Sequence, residues 1–429
     1  MNTSSSSDYD ARARPKPFTF YPPKTSPLIV GLVKKGLRGA IRRKLRVTQI
    51  EISDDDLNKL KKLKGQRCML TPSHSGGFEP HIVLYLSKLL NDIYHYVAAI
   101  ELFEQSPINR WLMPRLGVYS IIRGAVDRPS FSMTRNLLAN GNRWLVVFPE
   151  GQTIWQNSTL VPFQQGVIQL AFKAFEDAKK ADEDVHLYCI PVAIKYLYLE
   201  DMHEEIDASL ERLESALLIS GGADRSSRYS RLRGISEAVL IANEKAHHVT
   251  PDPESAMNDR IQSLKEFVIS KMERQLDVVP TDRQTLLDRL RVLFNAVDRI
   301  VYDEPVASEY EQQLTFEQQQ VARTLYEDLW RLLQFVAIYD GYVGESITVE
   351  RFMDVLCLLE MEVFKKRRIW GPRRAHVRVG EPIDLKNHCS SYAANKRDAV
   401  QEVTLTLESS VRGMLDEMGA RCTLVRESN

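Results

Sequence analysis

The sequence predicts an α/β fold in its first half, which gives way to a long run of helices before one strand-like segment returns near the end. Three observations predict it. Between residues 61 and 196, short apolar runs of strand length alternate with longer segments of helical periodicity. Beyond Glu200, helical patterns with capping signals succeed one another at 204–219, 235–248, 253–276, 281–302, 309–339 and 348–369. Polar or glycine-rich breaks such as GGADRSSRYSRLRG separate them. Strand-like sequence reappears only at 375–379, followed by GEPIDL and a last helical pattern at 399–418.

Composition narrows the class. A chain of 429 residues with 44% hydrophobic and 27% charged residues is an ordinary globular protein, long enough for a sizeable core and two or three domains. Lys plus Arg and Asp plus Glu each number 57, so net charge gives no reason to expect a nucleic-acid partner. The five cysteines, Cys68, Cys189, Cys357, Cys389 and Cys422, are scattered and never paired as CxxC, which argues against a disulfide framework or zinc site and fits a reducing cytoplasm. No run approaches the 18 or so apolar residues that span a bilayer, and residues 1–17 lack the apolar core of a signal peptide and read as a disordered lead-in. The expectation is a cytoplasmic protein, soluble or attached to a membrane from one side.

Taken in order, residues 18–46 contain no acidic residue, while Lys24, Lys34, Lys35, Arg38, Arg42, Arg43, Lys44 and Arg46 are basic. Leu28, Ile29, Leu32, Val33, Leu37, Ala40, Ile41 and Leu45 recur at helical spacing. This is the pattern of an amphipathic helix, suited either to an anionic membrane surface or to packing on the protein with its basic face in water. Residues 61–70 form a basic turn and a short strand that delivers His74, and 81–99 supply a buried helix and then a strand. SPINRWLMPRL at 106–116 gathers Trp111, Leu112, Met113 and Leu116 on one apolar face, for which core packing is the expected use and contact with lipid or an acyl chain the alternative. GVYSIIRG at 117–124 is a strand ending in Arg123 and Gly124, and an arginine at a strand end is placed to hold phosphate through two parallel hydrogen bonds. The compact strand WLVVF at 144–148 runs into Pro149, Glu150 and Gly151, putting a carboxylate at the edge of a sheet where α/β folds bind ligands. A polar loop at 153–163 and a helix at 166–178 follow. The apolar strand at 186–196 contains Pro191, which predicts an edge position or a bulge.

The most informative stretch is TPSHSGGFEP at 71–80, where His74 and Glu79 stand five positions apart across two glycines. On a regular helix that offset is roughly 140° around the axis and would point the side chains apart. A turn is required, and Gly76 and Gly77 permit one that brings Glu79 to an imidazole nitrogen. A carboxylate there fixes the tautomer and raises the basicity of the other nitrogen, which prepares a histidine to take a proton from a hydroxyl. A hydrogen-bonded turn without chemistry is the alternative use of the same pair.

Four of these stretches together resemble the glycerolipid acyltransferase superfamily, which includes the glycerol-3-phosphate and lysophosphatidate acyltransferases. His74 and Glu79 match its histidine–four residues–aspartate block with glutamate substituted; Arg123 and Gly124 match its second block; Phe148, Pro149, Glu150 and Gly151 match Phe-Pro-Glu-Gly in full; and Pro191 matches the proline of the fourth. The resemblance covers residues 61–196, and GEPIDL with its helix resembles the family's closing elements, which usually follow the proline strand closely. Here about 170 residues intervene. The resemblance therefore implies an acyltransferase fold, a mixed central sheet flanked by helices, first part 61–199 and closing part 373–420, with a large all-helical insertion at 200–372, a basic segment at 18–60 and a tail at 421–429. Two departures stand out: Glu79 is one methylene longer than the usual aspartate, and Gln152, Thr153 and Ile154 follow Gly151 where a Thr-Arg pair is common.

The mechanism implied is direct transfer without an acyl-enzyme. His74, oriented by Glu79, would deprotonate an acceptor hydroxyl as it attacks an acyl thioester; Arg123 and Gly124 would hold the acceptor phosphate, Glu150 and Gly151 its glycerol part, and Phe148, Pro149 and Pro191 would line the acyl-donor pocket. No metal or cofactor is implied, only acyl-CoA or an acyl carrier protein as cosubstrate and a lysolipid or glycerol phosphate as acceptor. The basic, aromatic stretch around Trp370, with Lys365, Lys366, Arg367, Arg368, Arg373 and Arg374, suits an anionic membrane or an acidic carrier protein. A serine hydrolase is disfavoured because no Gly-x-Ser-x-Gly elbow occurs. A metal hydrolase built on His74, Glu79 and His81 lacks a His-Glu-x-x-His pair. A noncatalytic lipid-binding or membrane-tethering protein of the same fold is the alternative that the glutamate substitution favours.

Overall fold

A computed structural model describes residues 19–122, 127–219, 226–251, 254–281, 284–302 and 347–425, with scattered positions between 320 and 332. The predicted helix at 309–339 and the lead-in at 1–17 lie essentially outside the described residues.

Eight strands form one sheet: β1 (Val47–Ile52), β2 (Arg67–Pro72), β3 (His95–Ala99), β4 (Val118–Ile121), β5 (Leu145–Val146), β6 (Leu187–Tyr198), β7 (Arg373–Val379) and β8 (Ile383–Asp384). Their order is β1-β7-β6-β2-β5-β3-β4, with β8 also beside β6. The sheet is mixed, because β7 and β8 run antiparallel to β6 while every other pair is parallel. The parallel strands β2 to β6 therefore deliver their carboxyl ends to one edge.

The central strands are continuous apolar runs because both faces are covered. Met69, Leu145, Leu187 and Cys189 face a core shared with α6 (Arg128–Asn140), α7 (Gln165–Lys179) and the last helix, Lys396–Gly419. Leu70, Val146, Ile190 and Val192 face the opposite core, built with α1 (Pro27–Leu45), α2 (Asp54–Lys62) and α3 (Glu79–Leu89). Consecutive residues such as Met69 and Leu70 thus serve opposite layers, as the strand period requires. The short helices α4 (Glu101–Glu104) and α5 (Pro107–Arg115) stand between β3 and β4 in the chain.

Between β6 and β7 the described chain is helical: α8 (His203–Ala216), α9 (Arg228–Ala246), α10 (Met257–Gln275), α11 (Leu286–Tyr302) and α12 (Val349–Phe364). Ile206, Leu210, Ile235, Phe352 and Leu356 form one core with Trp370, and Leu264, Ile269, Leu293 and Val297 form another that takes in Ile154 and Val161.

Three features depart from the sequence reading. β1 and α2 are elements it does not contain; β1 lies at the sheet's edge, where its half-exposed, polar-interrupted VTQIEI gives little periodic signal. The helix begun at Val349 ends at Phe364 rather than near 369, because Lys365 turns left-handed (φ 53°) and caps it. Pro191 is not on an edge strand: β6 lies between β2 and β7. The proline is tolerated there because β8 pairs with Tyr188 and Cys189 and β7 with Val192 onward, leaving Pro191 at the break between the two partners. Its carbonyl accepts the Gly380 amide across that break, so its own missing N–H faces the same gap.

Candidate active site

The site is assembled where β2 and its neighbour β5 end. His74 leaves β2 two residues beyond Pro72, and the Phe148–Gly151 turn leaves β5, whose ladder is shorter than the apolar run suggested. The turn between β2 and α3 folds as the spacing of its residues demands. Gly77 takes φ 75°, a left-handed conformation that costs a glycine little, and Glu79 becomes the first residue of α3. Its carboxylate then sits at a helix N-terminus, where negative charge is favoured.

His74 Nδ1 lies 3.0 Å from Glu79 Oε2. The other carboxylate oxygen accepts the Gly76 amide at 2.9 Å and the Ser75 hydroxyl at 3.3 Å. Glu79 is fully buried, and burial would raise its pKa; the hydrogen bond and charge of His74, with the Gly76 amide, outweigh it and hold the carboxyl below its usual value. An ionised carboxylate can only accept, so Nδ1 carries the hydrogen and Nε2 keeps its lone pair. The imidazole stacks on Phe148 with ring centroids 4.2 Å apart, and the side chain keeps 18% exposure, so the pair is held from one side and open on another.

Glu150 sits elsewhere than an acceptor-binding role would put it. It is fully buried; Oε1 accepts the His74 amide at 2.6 Å and Oε2 the Val161 amide at 2.9 Å. Burial pushes its carboxyl up to about 8, against those two amides and helped by the nearby charges of Glu79 and Glu408. The carboxylate read from sequence as facing a ligand thus ties the histidine's backbone to the loop after β5. Gly151 takes φ 74° and donates its amide to Phe148, and any Cβ there would collide with the Gln164 amide group. Pro149 is buried and its carbonyl accepts the Gln164 amide. Pro191 is level with Thr71, three residues before His74, and stands in the sheet beneath the site. Arg123 and Gly124 lie outside the described residues.

The loop at 152–164 is pinned across this edge. The Trp155 amide donates to the Ser75 carbonyl at 2.9 Å, and Asn157 exchanges side-chain bonds with the Tyr196 backbone while its own amide donates to Asp354 of α12. Tyr196 is buried beside Glu79, and burial followed by that negative charge raises its phenol well above the usual value.

Two arginines that the sequence reading assigned to a docking stretch turn inward instead. Both Nη nitrogens of Arg367 donate to the Gly76 carbonyl at 3.2 Å, and its guanidinium lies 3.2 Å from the Trp155 ring centroid and 4.4 Å from that of Phe78. Arg373 stands 5.6 Å from the Phe78 ring and 5.1 Å from that of Tyr196. The rest of the stretch does not form one outward face: Trp370 is buried, Arg374 pairs with Glu51, and Lys365, Lys366 and Arg368 are exposed.

A histidine–carboxylate pair thus stands in a glycine turn at the carboxyl edge of a mixed sheet, braced by Phe-Pro-Glu-Gly from the adjacent strand. A family model described as Acyltransferase matches residues 49–195, about a third of the chain, and that segment is similar to the glycerolipid acyltransferase family. The match begins within β1, earlier than residue 61, so most of the unforeseen edge strand falls inside the matched segment. A search of curated proteins finds no match to the chain.

Proposed function

We propose that the protein moves a fatty acyl group from an acyl thioester, of coenzyme A or an acyl carrier protein, to a hydroxyl of a glycerol phosphate or lysophospholipid. The observation that carries this reading is the 3.0 Å contact between His74 Nδ1 and Glu79, which leaves Nε2 as the free base. The added methylene of glutamate is absorbed: the carboxylate reaches the imidazole while its second oxygen takes the Gly76 amide.

In the step, Nε2 takes the acceptor's hydroxyl proton as the oxygen bonds to the thioester carbon. The C–S bond then breaks, and the proton passes to the departing thiolate, a better leaving group than an alkoxide because its conjugate acid is stronger. The imidazolium that forms transiently is stabilised by Glu79, whose own charge is kept by its amide and hydroxyl donors.

Docking of one face on an anionic membrane belongs to the same reading. The segment before α1 is tied to the end of α5 by Lys24 and Ser26 amides bonded to the Pro114 and Arg115 carbonyls. Leu28 and Leu32 of α1 are 75% and 60% exposed, and Ile108 and Trp111 of α5 are 70% and 52% exposed. Lys35, Arg38, Arg42 and Arg43 are exposed along α1, none paired with a carboxylate among the described residues. No helix of the described residues is long and apolar enough to cross a membrane.

The test offers labelled acyl-CoA and acyl carrier protein to the protein with glycerol 3-phosphate, lysophosphatidate and an uncharged monoacylglycerol as acceptors. Transfer to a phosphorylated acceptor supports the reading and names donor and acceptor. A folded protein that binds membranes and transfers to none of them would instead be a noncatalytic lipid-binding member of the fold.

A further inference from the structure

Arg367, on the stretch joining α12 to β7, and Arg373, the first residue of β7, come from outside the segment that matches the family, yet they border the turn that carries His74. Neither is ion-paired among the described residues. The two guanidiniums flank the same Phe78 ring, and their mutual repulsion adds to the burial that lowers Arg367 to about 10, still a cation at neutral pH. Glu79, whose charge reaches Arg367, already serves His74, Ser75 and Gly76. Cys357 also lies beside Arg367, but burial raises its thiol and keeps it neutral, so positive charge at this edge has no carboxylate of its own.

The guanidinium is also built in. Trp155 holds φ 60°, a conformation few side-chain-bearing residues adopt, and the Arg367 guanidinium sits over its indole ring. Each Nη nitrogen gives one hydrogen to the Gly76 carbonyl, and each carries a second that this carbonyl does not take. A Cβ placed on Gly76 would meet Glu79 Oε1 at 3.4 Å and Arg367 Nη2 at 3.9 Å, so the arginine and the base's carboxylate face each other across one glycine.

We propose that Arg367, supported by Arg373, binds the phosphate monoester of the acyl acceptor, supplying from the helical insertion the arginine that does not follow Phe148–Gly151 in sequence. The assignment rests on the acyl-transfer reading and commits to the acceptor for a reason of reach. A glycerol phosphate has its phosphate only a few bonds from the hydroxyl that must meet His74, whereas the phosphates of coenzyme A or a carrier protein stand a full pantetheine arm from the thioester.

The test uses the full chain and the variants Arg367→Gln, Arg367→Lys and Arg373→Gln; the last leaves the Gly76 contact in place. Calorimetric binding of inorganic phosphate and glycerol 3-phosphate, and of lysophosphatidate in neutral detergent micelles, is measured beside kcat and KM for phosphorylated and uncharged acceptors and for the donor. Arg367→Gln is expected to weaken phosphate-monoester binding and raise the KM of phosphorylated acceptors on the order of 10- to 100-fold, a clearly larger loss than on an uncharged acceptor, which reads only the missing support of the Gly76 carbonyl. Arg367→Lys and Arg373→Gln should show smaller losses of the same kind. Whichever phosphate monoester binds wild type more tightly identifies the source, soluble or lipid. Equal losses on charged and uncharged acceptors, a loss confined to the thioester donor, or unchanged phosphate binding in a folded variant would overturn the assignment. Arg367-dependent phosphate binding without any acyl transfer would overturn the acyl-transfer reading and keep the anion site. His74-dependent transfer with an unaltered acceptor KM would do the reverse.

Discussion

At the scale of single residues, two glutamates at one site act in opposite senses. Glu79 is held below its ordinary value, so its partnership with His74 contributes stability above about pH 4.3 and loses it as pH falls through the lower folded-state value. Glu150 is raised to about 8; its folded-state preference is fully present below about pH 4.3 and is lost as pH rises toward 8. Urea unfolding as a function of pH should therefore show Glu79→Gln removing stability at neutral pH but little at pH 3, and Glu150→Gln flattening the loss between pH 4 and 8. A Glu79→Gln deficit that persists unchanged at pH 3 would contradict the first assignment. Truncating Glu150→Ala leaves the amides of His74 and Val161 without their acceptors and should cost about 1–3 kcal/mol in unfolding free energy while lowering kcat more than it raises KM. The contact between His74 and Glu79 is legible in sequence because a glycine turn and a five-residue offset are local facts. Glu150 was misread because sequence places a carboxylate at a strand end without saying which way it turns. Arg367 was invisible because it meets Gly76 across 291 positions, and only the return of the chain at β7 brings it there.

At the scale of elements, the site depends on how β6 accommodates a proline in the middle of a sheet. Gly380 makes this possible: a Cβ there would approach the Pro191 ring at 2.8 Å, Ser410 Oγ at 2.4 Å and Met414 at 3.3 Å. Gly380→Ala should cost about 1–3 kcal/mol, and adding Pro191→Ala should restore part of it, since the ring is the least yielding of the three neighbours. Chemical denaturation of the two single variants and the double variant measures this coupling; strictly additive costs would show that the break between β7 and β8 is not held by that contact. Sequence periodicity found the central strands, which are apolar on both faces, and most helices to within a few residues. It failed at β1, whose exposed edge residues carry little pattern, and at the end of α12, where Lys365 breaks the helix without glycine or proline to announce it.

At the scale of the whole molecule, the acyltransferase sheet is completed from both sides of the helical stretch, since β7 pairs with β1 and β6. The exposed apolar residues of α1 and α5 and the exposed basic residues of α1 are the surface on which the proposed membrane docking rests. Partitioning onto anionic vesicles should fall about tenfold for Leu32→Glu and for Trp111→Glu, each of which removes apolar contact and adds a repelled charge. It should also weaken as salt rises, because the basic residues are solvent-exposed. Binding indifferent to both substitutions would place the membrane contact elsewhere. The proposed function, however, is chemical, with His74 as the base of an acyl transfer. The most direct measurement is transfer of labelled acyl groups from thioester to acceptor by wild type and by His74→Ala, with melting curves showing both folded. Transfer by wild type that falls by several orders of magnitude in His74→Ala is the result this structure predicts; transfer that survives the substitution would contradict it.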